Sequence, residues 1–275
     1  MLQILVYFSI IAYKPQRTLD QALPQYSFRQ AITEVVDPDI TVSRYSRTWR
    51  FSQPKIHNGY LVGKLGFLSA GTEKRTDYDE VKKDFIEQTV DSKESTFVFW
   101  VIDLSKQILA FETKPPDIRY QSFKGAFEGF LNRRSHIGLT VEDIVETSRF
   151  IEWVRTVDRV TKFTANLRAP NPDYSRHPDF IRRILEQTNA DRAKVELVKV
   201  TESTDSLDTE NAIKDMVEYG EKGYSSIMAR GQEGEQLRIF DSRRRVPVER
   251  TSFPEGATDE QRWNSIIEAL RQFTK

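Results

Sequence analysis

The sequence predicts an α+β protein made of two mixed α/β units, 1–140 and 141–275, with largely antiparallel sheets flanked by helices. Three observations carry that reading. Segments with strand and helix periodicity alternate along the 275 residues. Two pairs of apolar strands are separated by short turn-forming segments, which makes antiparallel hairpins. The segment Asp259–Phe273 has an apolar stripe of Trp263, Ile266, Ile267 and Leu270 at helical spacing.

Leu2 to Tyr13 is the most apolar run, rich in β-branched and aromatic residues, and reads as a buried strand. It is shorter than the roughly 20 apolar residues needed to cross a bilayer. It has no basic stretch before it and no small-residue cleavage site after it, so a cytoplasmic location is expected. Ser27 to Val36 reads as a helix, because Pro24 blocks an earlier start. Asp37-Pro38-Asp39 is a turn. Two long strands follow, Ile40–Phe51 and Tyr60–Ser69, joined through Pro54 and Asn58-Gly59. In the first, Tyr45, Arg47, Trp49 and Phe51 alternate with Arg44, Ser46, Thr48 and Arg50.

Asp77 to Val90 reads as an amphipathic helix through Val81, Phe85 and Ile86. The strongest hairpin signal comes next: Phe97–Ile102, a turn at Asp103-Leu104-Ser105-Lys106, and a return strand Gln107–Thr113. Pro115-Pro116 stops it. A helix from Ile118 to Leu131 carries the stripe Phe123, Phe127, Phe130. Thr140–Val145 reads as a further start with a Thr cap, and Phe150–Val157 as a helix. Then come a strand Lys162–Leu167, a helix Pro178–Thr188, a strand Lys194–Thr201 and a helix Leu207–Tyr219. Tyr224–Arg230 and Gln236–Asp241 form a hairpin about Gly231-Gln232-Glu233-Gly234, and the Asp259–Phe273 helix follows.

Composition removes whole classes of chemistry. The chain has no cysteine, so disulfides, thiol nucleophiles and cysteine-held metals are excluded. His57, His136 and His177 lie at no metal-ligand spacing. No phosphate-binding P-loop, dinucleotide fingerprint, nucleophile elbow or H-E-x-x-H helix occurs. Bases and acids are equal at 41 each, which argues against a globally basic nucleic-acid binder. The balance is an average, however: acids gather between Thr201 and Glu221 and bases between Arg238 and Arg250.

Two constellations could carry function. The first is basic. Arg243-Arg244-Arg245, with Arg250 nearby and Arg238 before it, is the densest cluster, and Arg44 and Arg50 form a second strip beside Tyr45 and Trp49. Guanidinium groups grip phosphates, and near aromatic rings they support base stacking. The second is acidic. Asp103 followed by Glu112-Thr113-Lys114 has the order of a PD-(D/E)xK nuclease, where two acids hold Mg²⁺ and the lysine activates water. Glu80 or Glu87 would assist from the preceding helix. The expected register argues against a shared ion: Asp103 pairs with Gln107 at the turn and Glu112 lies opposite Val98, roughly 16 Å away along the strand.

The apolar hairpin Phe97–Ile102 to Ile108–Phe111, the Phe-bearing helix after it, the strand pair Ser226–Arg230 into Gln236–Phe240 and the closing amphipathic helix follow one layout. In length and element order this layout resembles the family of the lambda-phage exclusion protein RexA. The resemblance implies a non-enzymatic phage-defence protein that binds DNA, as a homodimer and with a partner. It carries no functional residue across, because no motif aligns residue by residue.

The expectation is therefore a cytoplasmic binding protein without catalytic activity or cofactor. It would contact DNA or RNA through Arg243, Arg244, Arg245, Arg250, Arg44 and Arg50 as part of a bacterial phage-defence system, with a partner from the same operon. The alternatives are the Mg²⁺ nuclease and a protein-binding subunit or inhibitor.

Overall fold

The computed structural model describes residues 1–13, 27–79, 84–133, 138–169, 179–188, 190, 192–199, 205–244 and 246–274. Among them the strands form two antiparallel sheets, one of nine strands and one of four.

β1 (Leu2–Tyr13) is largely apolar because from Val6 onward it is buried on both faces. Val6, Phe8 and Ile10 point to one side of the sheet, and Ile11 and Tyr13 to the other. β1 pairs with β7 (Ile108–Glu112), with β8 (Leu139–Asp143) and with β13 (Val248–Phe253). From β7 the sheet continues through β6 (Asp84–Asp103), β5 (Tyr60–Asp79) and β3 (Arg47–Phe51) to β2 (Thr41–Arg44), while β4 (Lys55–His57) also pairs with β5. On one face lie α1 (Phe28–Val35) and α2 (Tyr120–Arg133), whose Phe123, Phe127 and Phe130 meet Trp49, Phe51 and Trp100. On the other lies α6 (Asp259–Phe273), with the bounds its stripe predicts. Thr258 caps it in a capping box with Gln261.

The second sheet runs β10 (Arg192–Val198), β9 (Arg159–Arg168), β11 (Ser225–Glu233), β12 (Gln236–Asp241). One face is covered by α3 (Thr147–Arg155), α4 (Asp179–Gln187) and α5 (Ala212–Glu221) around Phe150, Trp153, Phe163, Ile181, Leu185 and Met216. The two sheets abut where Gly223 packs on Ile10. With φ at +76°, a Cβ there would lie 2.6 Å from that of Ile10, so only glycine fits.

Four segments differ from their sequence reading. The strand expected over Ile40–Phe51 is a hairpin. Tyr45 and Ser46 both take positive φ, and Arg44 faces Arg47 across the turn, a backbone shape that these residue types do not advertise. Of the helix expected over Asp77–Val90, residues 77–79 and 84–90 are extended, and Val81 lies outside the described residues: β5 and β6 stay in register from Leu61↔Ile102 to Asp79↔Asp84. A ladder already running through the core continues outward and overrides local helical spacing. Thr140–Val145 supplies β8 instead of a helix start, since its backbone pairs with Ile10–Tyr13. The polar strand β13 carried no period-2 apolar signal, and β1 recruits it as a neighbour. Chain order and sheet membership thus diverge, because β13, which joins the first sheet, and α6, which packs on it, follow the strands of the second in the chain.

Candidate functional site

Among the described residues, one face of the second sheet has no helix against it. Strand alternation points Phe163, Ala165, Leu167, Ile227 and Ala229 at the helices, and sends their neighbours the other way. Register then gathers those neighbours: Arg192 beside Arg168, Lys194 beside Asn166, Glu196 beside Thr164, and Arg230 between Lys162 and Ile239. Arg243, in the short 3₁₀ turn Ser242–Arg244 after β12, reaches the same surface. Among the described residues no helix packs on this face.

Its charge is uneven. Lys162, Arg168, Arg192, Lys194, Arg230 and Arg243 are set against Glu196 and Asp241. Glu196 is shared by Lys162 at 2.8 Å and Lys194 at 3.5 Å, and the Lys162 hydrogen bond holds its carboxyl below the usual range. Asp241 is fixed: its Oδ1 accepts from the Arg243 backbone N–H at 3.1 Å and from Nε at 3.0 Å, and its Oδ2 from Nη2 at 3.2 Å. That fork raises the Arg243 pKa. Arg192 and Arg230 have no ion pair with a described residue. Apolar side chains stand among these cations, with Leu237 58% and Ile239 53% exposed.

At the end of the sheet nearest α2 and β8 the face falls into a cleft of about 550 Å³, whose lining includes Lys124, Glu142, Asp143, Arg168, Arg192, Lys194, Ser225 and Arg243. Asp143 Oδ1 accepts from the Tyr120 hydroxyl and from Lys124 Nζ, both at 2.5 Å. Burial, then Asp143, pushes the Tyr120 pKa up, and Tyr120 also meets the buried Ser9 hydroxyl at 3.3 Å. Glu142 pairs with Arg168; burial raises its carboxyl pKa and Arg168 opposes the shift.

The expected arginines do not form one patch. Arg243 is on the open face. Arg244 shares its turn, and Arg245 lies outside the described residues. Arg250 is on β13, opposite Leu5, at one edge of the first sheet. Arg50 and Arg44 are on β3 and β2 at the opposite side, five and six strand spacings away, roughly 24 and 29 Å. Arg44 lies against α2 at Gly125 and Gly129. Sequence reasoning missed Lys162, Arg168, Arg192, Lys194 and Arg230 as a group. The usable signal was the alternation Arg192, Lys194, Glu196, a charged side chain at every second position of a strand.

The acidic constellation is dispersed as well. Asp103 Oδ1 accepts from the backbone of Ser105 at 2.9 Å and of Lys106 at 3.0 Å, and from the Ser105 hydroxyl at 2.6 Å, which closes the turn. Asp103 pairs with Ile108, so Glu112 is four residues along the strand, about 14 Å. Glu112 is 2% exposed; its Oε1 accepts from the Phe99 N–H at 3.1 Å and from Arg262 Nη2 of α6 at 2.9 Å. Burial raises its pKa, and Arg262 opposes the rise. Lys114 is tied by its backbone to Ile118. Glu80 lies outside the described residues, and Glu87 is on β6. Among the described residues no group of three or more His, Cys, Asp or Glu side chains could hold a metal ion. His57 bonds Asn264 at 2.8 Å and ties the β4–β5 turn to α6; His136 and His177 lie outside the described residues. Among the described residues no helix is long and apolar enough to cross a membrane.

Comparison with protein families finds a match over residues 46–268 to a model described as a domain of unknown function, DUF4747. No curated protein matches the chain.

Proposed function

The chain belongs to the DUF4747 family, whose domain takes in strands of both sheets, and we propose that it is a non-catalytic protein that binds nucleic acid on the open face of its second sheet. The observation that carries this reading is the clustering of Lys162, Arg168, Arg192, Lys194, Arg230 and Arg243 on a β surface that no described helix covers, with Glu196 and Asp241 among them and Glu142 paired to Arg168. A face four strands wide that gathers cations from β9, β10 and β11 suits a phosphate backbone. Arg192 and Arg230, without acid partners among the described residues, are free to contact phosphates or to stack their guanidinium planes on bases. Leu237 and Ile239 add apolar area beside them. An even overall charge is compatible with this, because binding depends on the local patch.

A cytoplasmic role in phage defence, a homodimeric state and a partner protein belong to the same proposal through the resemblance in element order. Phage plating efficiency with and without the gene, and sedimentation of the purified chain, test those parts.

The binding reading is tested by fluorescence anisotropy with labelled single- and double-stranded oligonucleotides across a salt series. With about four phosphates neutralised, the logarithm of the affinity should fall with the logarithm of salt at a slope of about −3. The double variant Lys194→Glu, Arg230→Glu should lower affinity at least ~10-fold at low salt. Absence of binding at low salt, or binding insensitive to both salt and the double variant, overturns the reading. A blank result in every arm would favour a protein-binding subunit instead.

A further inference from the structure

We infer that the outer part of the β5–β6 ribbon is the surface on which two copies of this chain associate, face to face and antiparallel about a two-fold axis. This gives the proposed homodimer an interface, and it is independent of the reading of the second sheet.

β5 and β6 outrun their neighbours. β3 leaves β5 after Leu68, and β7 meets β6 only from Trp100. From Ser69↔Glu94 to Asp79↔Asp84 the two strands pair with each other and, among the described residues, with no other strand. A two-stranded ribbon by itself is marginal in water, and its open edges and faces invite a partner. At its root, the side of the sheet that places Val62 and Phe99 under α6 continues to Leu68, 48% exposed, and Phe97, 40% exposed.

Strand alternation carries that face outward through the register pairs Ala70↔Lys93, Thr72↔Asp91, Lys74↔Thr89, Thr76↔Glu87 and Tyr78↔Phe85. Along the ribbon the face is self-complementary. A two-fold axis at the level of Glu73↔Val90 lays the outer pair Tyr78↔Phe85 on the exposed Leu68 of the partner subunit. It sets Glu87 on Lys93 of the partner subunit, and Asp91 diagonally beside Lys74 of the partner subunit. Each contact occurs twice, as an isologous interface requires. Neighbouring registers fail. An axis at Lys74↔Thr89 sets Lys74 on Lys74 of the partner subunit and Glu87 on Asp91 of the partner subunit. An axis at Thr72↔Asp91 sets Asp91 on Asp91 of the partner subunit. Like charges opposed in this way cost affinity and fix the register. Residues 69–79 and 84–94 hold seven acids and three bases, so a nucleic acid is disfavoured as the occupant.

The complementary stretch is about 34 Å long and about 10 Å wide, a footprint of roughly 340 Å² on each copy. That is under half of the roughly 800 Å² per partner of a stable interface, so the dimer forms at micromolar concentration.

The test is sedimentation velocity of the full chain across about 1 to 100 µM at low salt, where a monomer–dimer equilibrium is expected. Glu87→Lys and Lys93→Glu each oppose like charges twice and should weaken the dimer at least ~10-fold. Mixed together, the two variants restore both attractions and should form a heterodimer of about wild-type affinity. The double variant Glu87→Lys, Lys93→Glu should associate with itself again. Within one chain the two positions are about 20 Å apart along β6, so recovery reads contact between copies. Monomer throughout the range overturns the inference together with the homodimeric state. Unchanged affinity in both variants, or weakening in both without recovery, overturns this surface and leaves the homodimer standing. A chain that stays monomeric while Glu87→Lys raises oligonucleotide affinity makes nucleic acid the occupant and overturns the second copy. The double variant keeps Lys194 and Arg230, so its oligonucleotide binding reports on the second sheet separately.

Discussion

The two sheets are built from similar strands but have different surroundings. The first is covered on both faces, by α1 and α2 on one and α6 on the other. Its β7 is buried at every residue from Ile108 to Glu112. The second is covered on one face by α3, α4 and α5, and its β10 alternates exposed and half-buried residues from end to end. In a doubly covered sheet a charge must be paired inside the protein, as Glu112 is by Arg262. In a singly covered sheet charges cost nothing to keep and are available to a ligand. The difference separates a sheet whose charges are paired inside the protein from one whose charges stay open to solvent.

The largest expected effect lies in the closed sheet. Trp263 is buried, its ring meets Phe99 edge-on at 5.6 Å, and its Nε1–H donates to the Gly63 carbonyl at 3.2 Å. Trp263→Ala should cost about 3–5 kcal/mol in urea unfolding. A cost under about 1 kcal/mol would mean that α6 does not seal that face.

Next is the buried pair. Arg262→Ala leaves Glu112 buried without its cation, at a cost of about 3 kcal/mol near pH 8. The folded-state pKa of Glu112 already stands above its usual value, so its contribution to stability is present below the unfolded pKa and is lost as pH rises through the folded one. Removing Arg262 raises the folded pKa further. The deficit of the variant should therefore shrink between pH 8 and pH 5, and Glu112→Gln in the same background should flatten that dependence. Urea titrations at the two pH values measure it, and a deficit independent of pH would remove Glu112 as its source.

The smallest effect on stability belongs to the open face. Lys194→Glu with Arg230→Glu should change unfolding free energy by about 0.5 kcal/mol or less, while nucleic-acid affinity falls. A loss of stability comparable to that of Trp263→Ala would mean that the face is covered in solution, and the contrast between the sheets would fail.

Much of the fold was legible wherever a local pattern and its burial agree. The apolar run of β1, the hairpin about Asp103, the hairpin of β11 and β12 and the bounds of α6 all follow from residues close in sequence. Reading failed where a distant partner decides. Residues 84–90 of β6 are extended because β5 lies beside them, although Phe85 and Ile86 fit a helix. β13 is a strand because β1 offers it an open edge. The candidate site behaves in the same way. The run Arg243-Arg244-Arg245 was visible, and Arg243 does reach the open face, but Arg250 and the pair Arg44 and Arg50 went to opposite edges of the other sheet.

The amino-acid sequence by itself determined the class, α+β with antiparallel hairpins, and the absence of thiol chemistry, since periodicity and composition are properties of short stretches and of residue types. Only the tertiary structure decided which cations become neighbours. Lys162, Arg168, Arg192, Lys194, Arg230 and Arg243 span some 80 residues of chain. They share one surface because strand register brings every second side chain of β9, β10 and β11 to the same side, and because no described helix covers it.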